Sequence, residues 1–159
     1  MIVNYLGDIF NTDCECIVNP VNCVGVMGKG LALEFKKRFP QYYTVYKKLC
    51  RDGQVIPGRP MKHSFPNYEK DILSFPTKDH YKDPSKLEYI AKGLQMFADN
   101  YYQLGIKSIA FPALGCGCGG LNFDEVYRLM KLYLEPLPIE CEVYFPRDWL
   151  QEWKGDNNG

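Results

Sequence analysis

The segment Gly115-Cys116-Gly117-Cys118-Gly119-Gly120 packs four glycines into six residues. No other stretch restricts the possible folds of this chain as strongly. Glycine loses more conformational freedom on folding than any other residue. A chain keeps such a run where backbone amides must wrap a ligand, most often a phosphate. The loop, Pro112 to Leu121, follows the β-rich run Ser108 to Phe111 and precedes a helix-like stretch that Asn122 and Glu125 are placed to cap. It is neither a Walker A loop, which needs Gly-Lys-Ser/Thr, nor a Gly-x-Gly-x-x-Gly element. A second loop, Asn19 to Gly30, contains Gly25, Gly28 and Gly30 and has the same setting. It follows the apolar run Cys16-Ile17-Val18-Asn19, which Pro20 is expected to stop, and it leads into a helix from near Leu31. Its end offers free N–H groups at a helix N-terminus, a ready anion site. Asn19 and Asn22 add amide donors and acceptors. Taken alone, this loop reads equally well as an ordinary glycine-rich connection. Two phosphate-type loops together suggest a diphosphate held from both sides.

The remaining chain alternates between strand-like and helix-like segments. Ile2 to Tyr5 is a short β-rich run followed by Gly7-Asp8. Leu31, Ala32, Phe35 and Phe39 share one helical face ahead of Pro40, and Tyr42 to Leu49 reads as a second helix. Met61 to Phe65 and Asp71 to Phe75 are expected to pair around Pro66-Asn67. Ser85 stands three residues before Glu88, the spacing of a capping box, ahead of a helix carrying Ile90, Leu94, Phe97, Tyr101 and Leu104. Val126, Leu129, Met130 and Tyr133 form the stripe of another helix, and Ile139 to Phe145 is a last strand. This alternation favours an α/β layered fold with a largely parallel sheet. In such sheets the ligand sits beyond the carboxyl ends of the strands.

A third loop after a strand, Ser74 to His80, brings Lys78, Asp79 and His80 to that edge. On composition alone a solvated loop is the commoner reading of such residues. Asp8 is placed to accept from an exocyclic amine, or simply to cap a turn. Tyr144 and Phe145 are placed to stack on a base, or to pack in the core.

A chain of 159 residues is about one domain, expected here over residues 1–154 with a frayed tail at 155–159. Its 19 basic and 19 acidic side chains cancel. That argues against a generally basic nucleic-acid surface, though not against a local basic cleft. No apolar run approaches the ~20 residues that span a bilayer, and without a basic n-region and apolar h-region at its start no secretory signal is expected. Seven cysteines without an export signal read as free thiols in a reducing cytoplasm. Cys14-x-Cys16 and Cys116-x-Cys118 are spaced too tightly for zinc, because structural sites usually space their ligands by about two to four residues.

Together these pieces resemble a macrodomain, the module that binds ADP-ribose, from Gly7-Asp8-Ile9 to Val143-Tyr144. The closer likeness is to the branch of the DarG antitoxin macrodomains and the eukaryotic terminal ADP-ribose protein glycohydrolase. It rests on Asn19-Pro20-Val21-Asn22 through Gly28-Lys29-Gly30-Leu31-Ala32, on Phe75-Pro76-Thr77-Lys78 and on Pro112-Ala113-Leu114-Gly115-Cys116-Gly117. The resemblance implies a three-layer α/β/α fold with a central mixed, largely parallel sheet. It implies an ADP-ribose site in which Asp8 and Ile9 meet adenine and Tyr144 packs on it. The loop from Gly115 to Gly120, with Cys116, Gly117, Cys118 and Gly119, would wrap the diphosphate through backbone amides. The loop from Asn22 to Gly30, with Gly28 and Lys29, would hold the distal ribose and a phosphate, and Asn19, Thr77 and Leu114 would also contact ADP-ribose. Lys78 matches the lysine this branch uses for catalysis, and Asn22 would orient the ribose hydroxyls or a water. The eukaryotic relative has an acid where this chain has Gly119, so its lysine-plus-acid chemistry is not expected in that form. Full DarG proteins also carry a further C-terminal region.

The activity implied is hydrolysis at C1 of the distal ribose, freeing ADP-ribose from thymidine bases of single-stranded DNA and so reversing a DarT-type toxin. No metal or cofactor is required. Lys78 would stabilise or protonate the departing base, or attack the carbon itself. Rival readings are hydrolysis of glutamate-linked ADP-ribose or of small ADP-ribose metabolites, and a reader that binds ADP-ribose without turnover. Lys29, Lys36, Lys37, Arg38, Lys47 and Lys48 form either a basic rim beside the first loop or a solvated helix face, with the solvated face slightly preferred.

Overall fold

Every apolar run that was long enough to cross a sheet becomes a strand in the structure, a computed structural model that describes residues 1–146. The strands are β1 (Ile2–Tyr5), β2 (Cys16–Val21), β3 (Met61–His63), β4 (Asp71–Pro76), β5 (Ser108–Phe111) and β6 (Glu140–Tyr144). They form one sheet in the order β1-β6-β5-β2-β4-β3. Only the β3–β4 pair is antiparallel, so the sheet is mixed and largely parallel. The helices are α1 (Gly30–Arg38), α2 (Pro40–Arg51), α3 (Leu87–Asn100) and α4 (Phe123–Leu134). The expected tail at 155–159 lies outside the described residues.

Side-chain alternation along the strands divides the core in two. Val18, Leu73, Phe75, Ile109, Phe111 and Val143 face α3 and α4. Ile17, Val21, Ile72, Ala110 and Tyr144 face α1 and α2. The sheet is therefore covered on both faces, which is why its central strands read as nearly continuous apolar runs. The fold is the expected three-layer α/β/α arrangement. Among the described residues no helix is long and apolar enough to cross a membrane.

Two local expectations need correction. Pro20 does not stop β2, which continues to Val21 with Pro20 opposite Phe75. The Val21 carbonyl accepts from Thr77 N on the β4 side. Backbone groups alternate sides along a strand, so the hydrogen that proline lacks would point to β5. Pairing with β5 has already ended there, at Ile17 with Ala110. The proline removes nothing the sheet uses. Ser85, in turn, does not cap α3. The N-cap is Lys86, without a side-chain cap, and the buried Ser85 hydroxyl bonds Thr77 Oγ1 at 3.0 Å instead.

Candidate active site

The early parting of β2 from β5 opens the site. Chain from β2 leads toward β4, whereas chain from β5 leads outward to β6, so the sheet's connections reverse direction between these two strands. Such a switch point leaves a crevice beyond the carboxyl ends. Here it is a cleft of about 1190 Å³, walled by the segments that follow β2, β4 and β5 and by the first turn of α4. That volume slightly exceeds the ~300–1,000 Å³ of ordinary small-ligand sites.

The loop after β2 is stiffened from within. Asn22 Oδ1 accepts from Val24 N at 3.0 Å, and its Nδ2 donates to the Val26 carbonyl at 2.8 Å. The Tyr46 hydroxyl of α2 donates to the Asn22 carbonyl at 2.7 Å and also reaches Oδ1 at 3.0 Å. Asn22 lines the cleft but is only 5% exposed, with its amide largely committed to its own loop. The loop ends at Lys29, which caps α1 with backbone only, and the first turn of α1 contains no acid. The residues of that first turn, Gly30, Leu31 and Ala32, line the cleft, and their N–H groups, which lack helical partners, have no acid of their own turn beside them.

The loop after β5 folds back on itself. Leu121 N donates to Gly115 O at 2.9 Å, and Ser85 N to Gly119 O at 3.0 Å. A Cβ on Gly119 would fall 2.5 Å from the Gly115 carbonyl and still closer to the Ser85 hydroxyl. No side chain fits there.

Lys78 follows β4, half-buried, and lines the cleft. Its Nζ donates to the Tyr81 carbonyl at 3.4 Å. Among the described residues it has no carboxylate within ion-pair reach. Its loop is tied to the first glycine loop by Cys23 N donating to Asp79 O at 2.8 Å. His80 is turned away, stacked on Tyr81 with its Nδ1 accepting from Lys82 N at 3.1 Å.

The structure brings Asn22, Gly28, Lys29, Gly30, Thr77, Lys78 and the run Gly115, Cys116, Gly117, Cys118, Gly119 to one cleft wall. It does not bring the others there. Asn19 is fully buried, its Nδ2 donating to the Tyr42 hydroxyl at 3.1 Å. Leu114 is fully buried in the α3/α4 side of the core. Ile9 packs in the other half of the core, and the Asp8 carboxylate caps the 3₁₀ turn Ile9–Asn11 by accepting from Phe10 N at 2.9 Å. Tyr144 is buried beneath Tyr5, ring centroids 5.4 Å apart, with its hydroxyl donating to Glu142 at 3.0 Å. Phe145 packs edge-on against Phe123 and Tyr127. Of the expected basic rim only Lys29 lines the cleft; Lys36 and Lys47 lie over Tyr43, and Arg38 lies over Phe10. Sequence reading missed Tyr81, Lys82, Ser85, Phe123, Asp124 and Pro146 as wall residues. The adjacency of Tyr81 and Lys82 to Lys78 was the available signal for two of them.

Two half-buried thiols, Cys116 in the cleft wall and Cys23 in the loop after β2, are poor nucleophiles and poor metal ligands. Burial pushes Cys116 up to about 11 and, together with Asp79, Cys23 up to about 12. All seven cysteines are free. Cys14, Glu140 and Glu142 bring three ligand-type atoms within 4.8 Å of one another, away from the cleft. The Glu142 carboxylate already accepts from the Thr12 and Tyr144 hydroxyls, and burial first of all raises the Cys14 thiol.

Comparison with known proteins gives a consistent result. Residues 18–130 match the family model for the Macro domain. The DNA ADP-ribosyl glycohydrolase of Mycobacterium tuberculosis is 42% identical over 148 residues, covering 92% of this chain and 42% of that protein. A DNA ADP-ribosyl transferase-DNA ADP-ribosyl glycohydrolase fusion protein of Thermosipho africanus is 39% identical over 157 residues, covering 88% of this chain and 40% of the fusion. The chain thus spans about two fifths of the length of these curated relatives. The solved structure of Thermosipho africanus DarTG in complex with ADP-ribose superposes with a TM-score of 0.89 at 37% identity, over 92% of this chain and 42% of that one.

Proposed function

The chain belongs to the macrodomain family, and from that premise we propose that it is an ADP-ribosyl glycohydrolase acting on thymidine bases of single-stranded DNA. The strand order supports a simple seating of ADP-ribose along the carboxyl edge. Adenine lies at the β1–β6 end, near Asp8, Ile9 and the terminus of β6 at Tyr144. The diphosphate lies between the Gly115–Gly119 loop and the α1 N-terminus at Gly28, Lys29 and Gly30. The distal ribose lies by Asn22 and Thr77, with its C1 carbon toward Lys78.

In the reaction a water oxygen bonds to C1. The C1–nitrogen bond to the base breaks, its electron pair leaves with the base, and the base takes up a proton. Positive charge builds on the sugar in the transition state, as in other glycoside hydrolyses, and negative charge on the base. The Lys78 amine stabilises or protonates that base. Alternatively it bonds to C1 as the base departs, and water then resolves the adduct. The observation that carries the reading is this amine, which lines the cleft with a backbone carbonyl as its hydrogen-bond partner and, among the described residues, no carboxylate within ion-pair reach. The substrate is the product of a DarT-type DNA ADP-ribosyl transferase, and the Thermosipho africanus fusion of the two activities supports that pairing.

The test is release of ADP-ribose from a single-stranded oligonucleotide modified on thymidine. Lys78→Ala is expected to lower release by about 100-fold or more while ADP-ribose binding persists. Lys78→Arg keeps the charge but not the nucleophile, so retained activity selects electrostatic assistance over the covalent route. Wild-type protein that binds ADP-ribose and releases none from DNA, from glutamate-linked protein or from ADP-ribose 1''-phosphate would be a reader, and the hydrolase reading would fall.

A further inference from the structure

The leaving-group end of the cleft carries a side chain that neither the glycine loops nor Lys78 accounts for. Of the exposed large apolar side chains among the described residues, Tyr81 alone lines the cleft, and it is 44% exposed. Its carbonyl accepts from Lys78 Nζ, so the ring and the amine belong to one short loop. The His80 imidazole covers one face of the ring, centroids 4.4 Å apart and planes 28° from parallel. Lys82 Nζ stands over the ring, 5.8 Å from its centroid, and also lines the cleft; it is the long, flexible side chain that a stacking base would displace toward a phosphate. The loop is held at several points. Asp79 O accepts from Cys23 N, His80 O accepts from Asp83 N at 3.0 Å, and Ser85 is bonded to Thr77 and Gly119. An aromatic ring fixed in this way loses little freedom when a partner stacks on it. The charges on the wall are Lys29, Lys78 and Lys82 against Asp124, an excess that favours an anionic chain. Asp79 and Asp83 belong to the same loop but do not line the cleft.

We propose that the His80–Tyr81 pair is a stacking platform for the nucleobase that bears ADP-ribose, and that Lys82 meets a neighbouring backbone phosphate. The inference rests on the seating above, which puts the ribose carbon at Lys78, whose amine bonds the Tyr81 carbonyl. A thymine ring has a π-face to place there; a glutamate side chain has none. Stacking of one base on an exposed aromatic is worth about tenfold in affinity. Tyr81 is thus the residue that selects a nucleobase leaving group.

The measurement is a ratio of dissociation constants in the Lys78→Ala background, where the substrate survives. It compares a thymidine-modified single-stranded oligonucleotide with free ADP-ribose. The oligonucleotide is expected to bind about tenfold more tightly. Adding Tyr81→Ala or Tyr81→Leu should remove most of that advantage, with ADP-ribose affinity itself moving less than threefold, while Tyr81→Phe keeps it. Lys82→Ala should weaken the oligonucleotide alone and make its salt dependence shallower. An unchanged ratio in both Tyr81→Ala and Tyr81→Leu overturns the platform, as does a ratio near one before Tyr81 is touched. Loss of ADP-ribose binding in Tyr81→Ala would reflect misfolding, and Tyr81→Leu, which retains bulk without a π-face, then decides. If wild-type protein fails to release ADP-ribose while the ratio persists, the hydrolase reading falls and the platform stands.

Discussion

Gly119 is held by its surroundings on two sides, the Ser85 hydroxyl and the Gly115 carbonyl. One is a side chain pinned by its own hydrogen bond, and the other is backbone, so neither can yield cheaply. Gly119→Ala must therefore push the second glycine loop out of position. We expect a loss of ADP-ribose affinity of at least tenfold by calorimetry, with about 1–3 kcal/mol of destabilisation from overpacking. Gly117→Ala, where a Cβ would meet nothing within 4 Å, should leave the melting temperature nearly unchanged. Equal destabilisation by the two would disprove this account of the loop. Asn22 illustrates the same scale in another way. Its residue type was legible in the sequence, but its amide turns inward to hold Val24 and Val26, which only the folded loop decides.

At the scale of elements, two residues with the same expected job went different ways. Asn122 caps α4, its Oδ1 accepting from Asp124 N at 2.8 Å and more loosely from Glu125 N. Ser85 was expected to cap α3 and instead ties the end of β4 to the second glycine loop. A cap is satisfied within four residues of chain, so local sequence reveals it. A buried hydroxyl that finds a partner eight residues back, across a turn, is invisible until the turn exists. Ser85→Ala is expected to leave Thr77 Oγ1 without this partner, at about 1–3 kcal/mol. Hydrogen exchange should rise in residues 78–86 and in the 115–120 loop, with α3 protection unchanged. Exchange rising in the first turn of α3 instead would restore the capping role. Pro20 makes the same point: whether a proline breaks a strand depends on which neighbour its missing N–H would have faced.

At the scale of the whole molecule, β3 is fastened to the sheet through a buried histidine. His63 Nε2 bonds Ser74 Oγ at 3.0 Å, and Ser74 in turn bonds the Tyr42 hydroxyl of α2 at 2.6 Å. Burial holds the imidazole down at about 4, against 6.5 when free. Between those values the unfolded chain takes up a proton that the folded chain refuses. The native state is therefore favoured above the window and loses stability as pH falls through it, by up to about 3 kcal/mol. Melting temperatures from pH 7.5 to 4.5 should fall more steeply for wild type than for His63→Gln. Parallel curves would show that this histidine does not set the acid limit.

What the sequence determined by itself was whatever short-range chemistry encodes: the strand–helix alternation, the α4 cap, and glycine loops placed after strands. Those signals sufficed for the fold class and for the wall from Asn22 to Gly30 and from Gly115 to Gly119. Which residues meet across the sheet was settled only when the chain packed. Strand order put β4 and β5 on either side of β2, which made Lys78 and the second glycine loop neighbours. The same packing buried Asn19 and Tyr144 and left Tyr81 half in solvent at the lip. Burial and strand order are sums over contacts distant in sequence, so no local pattern carries them.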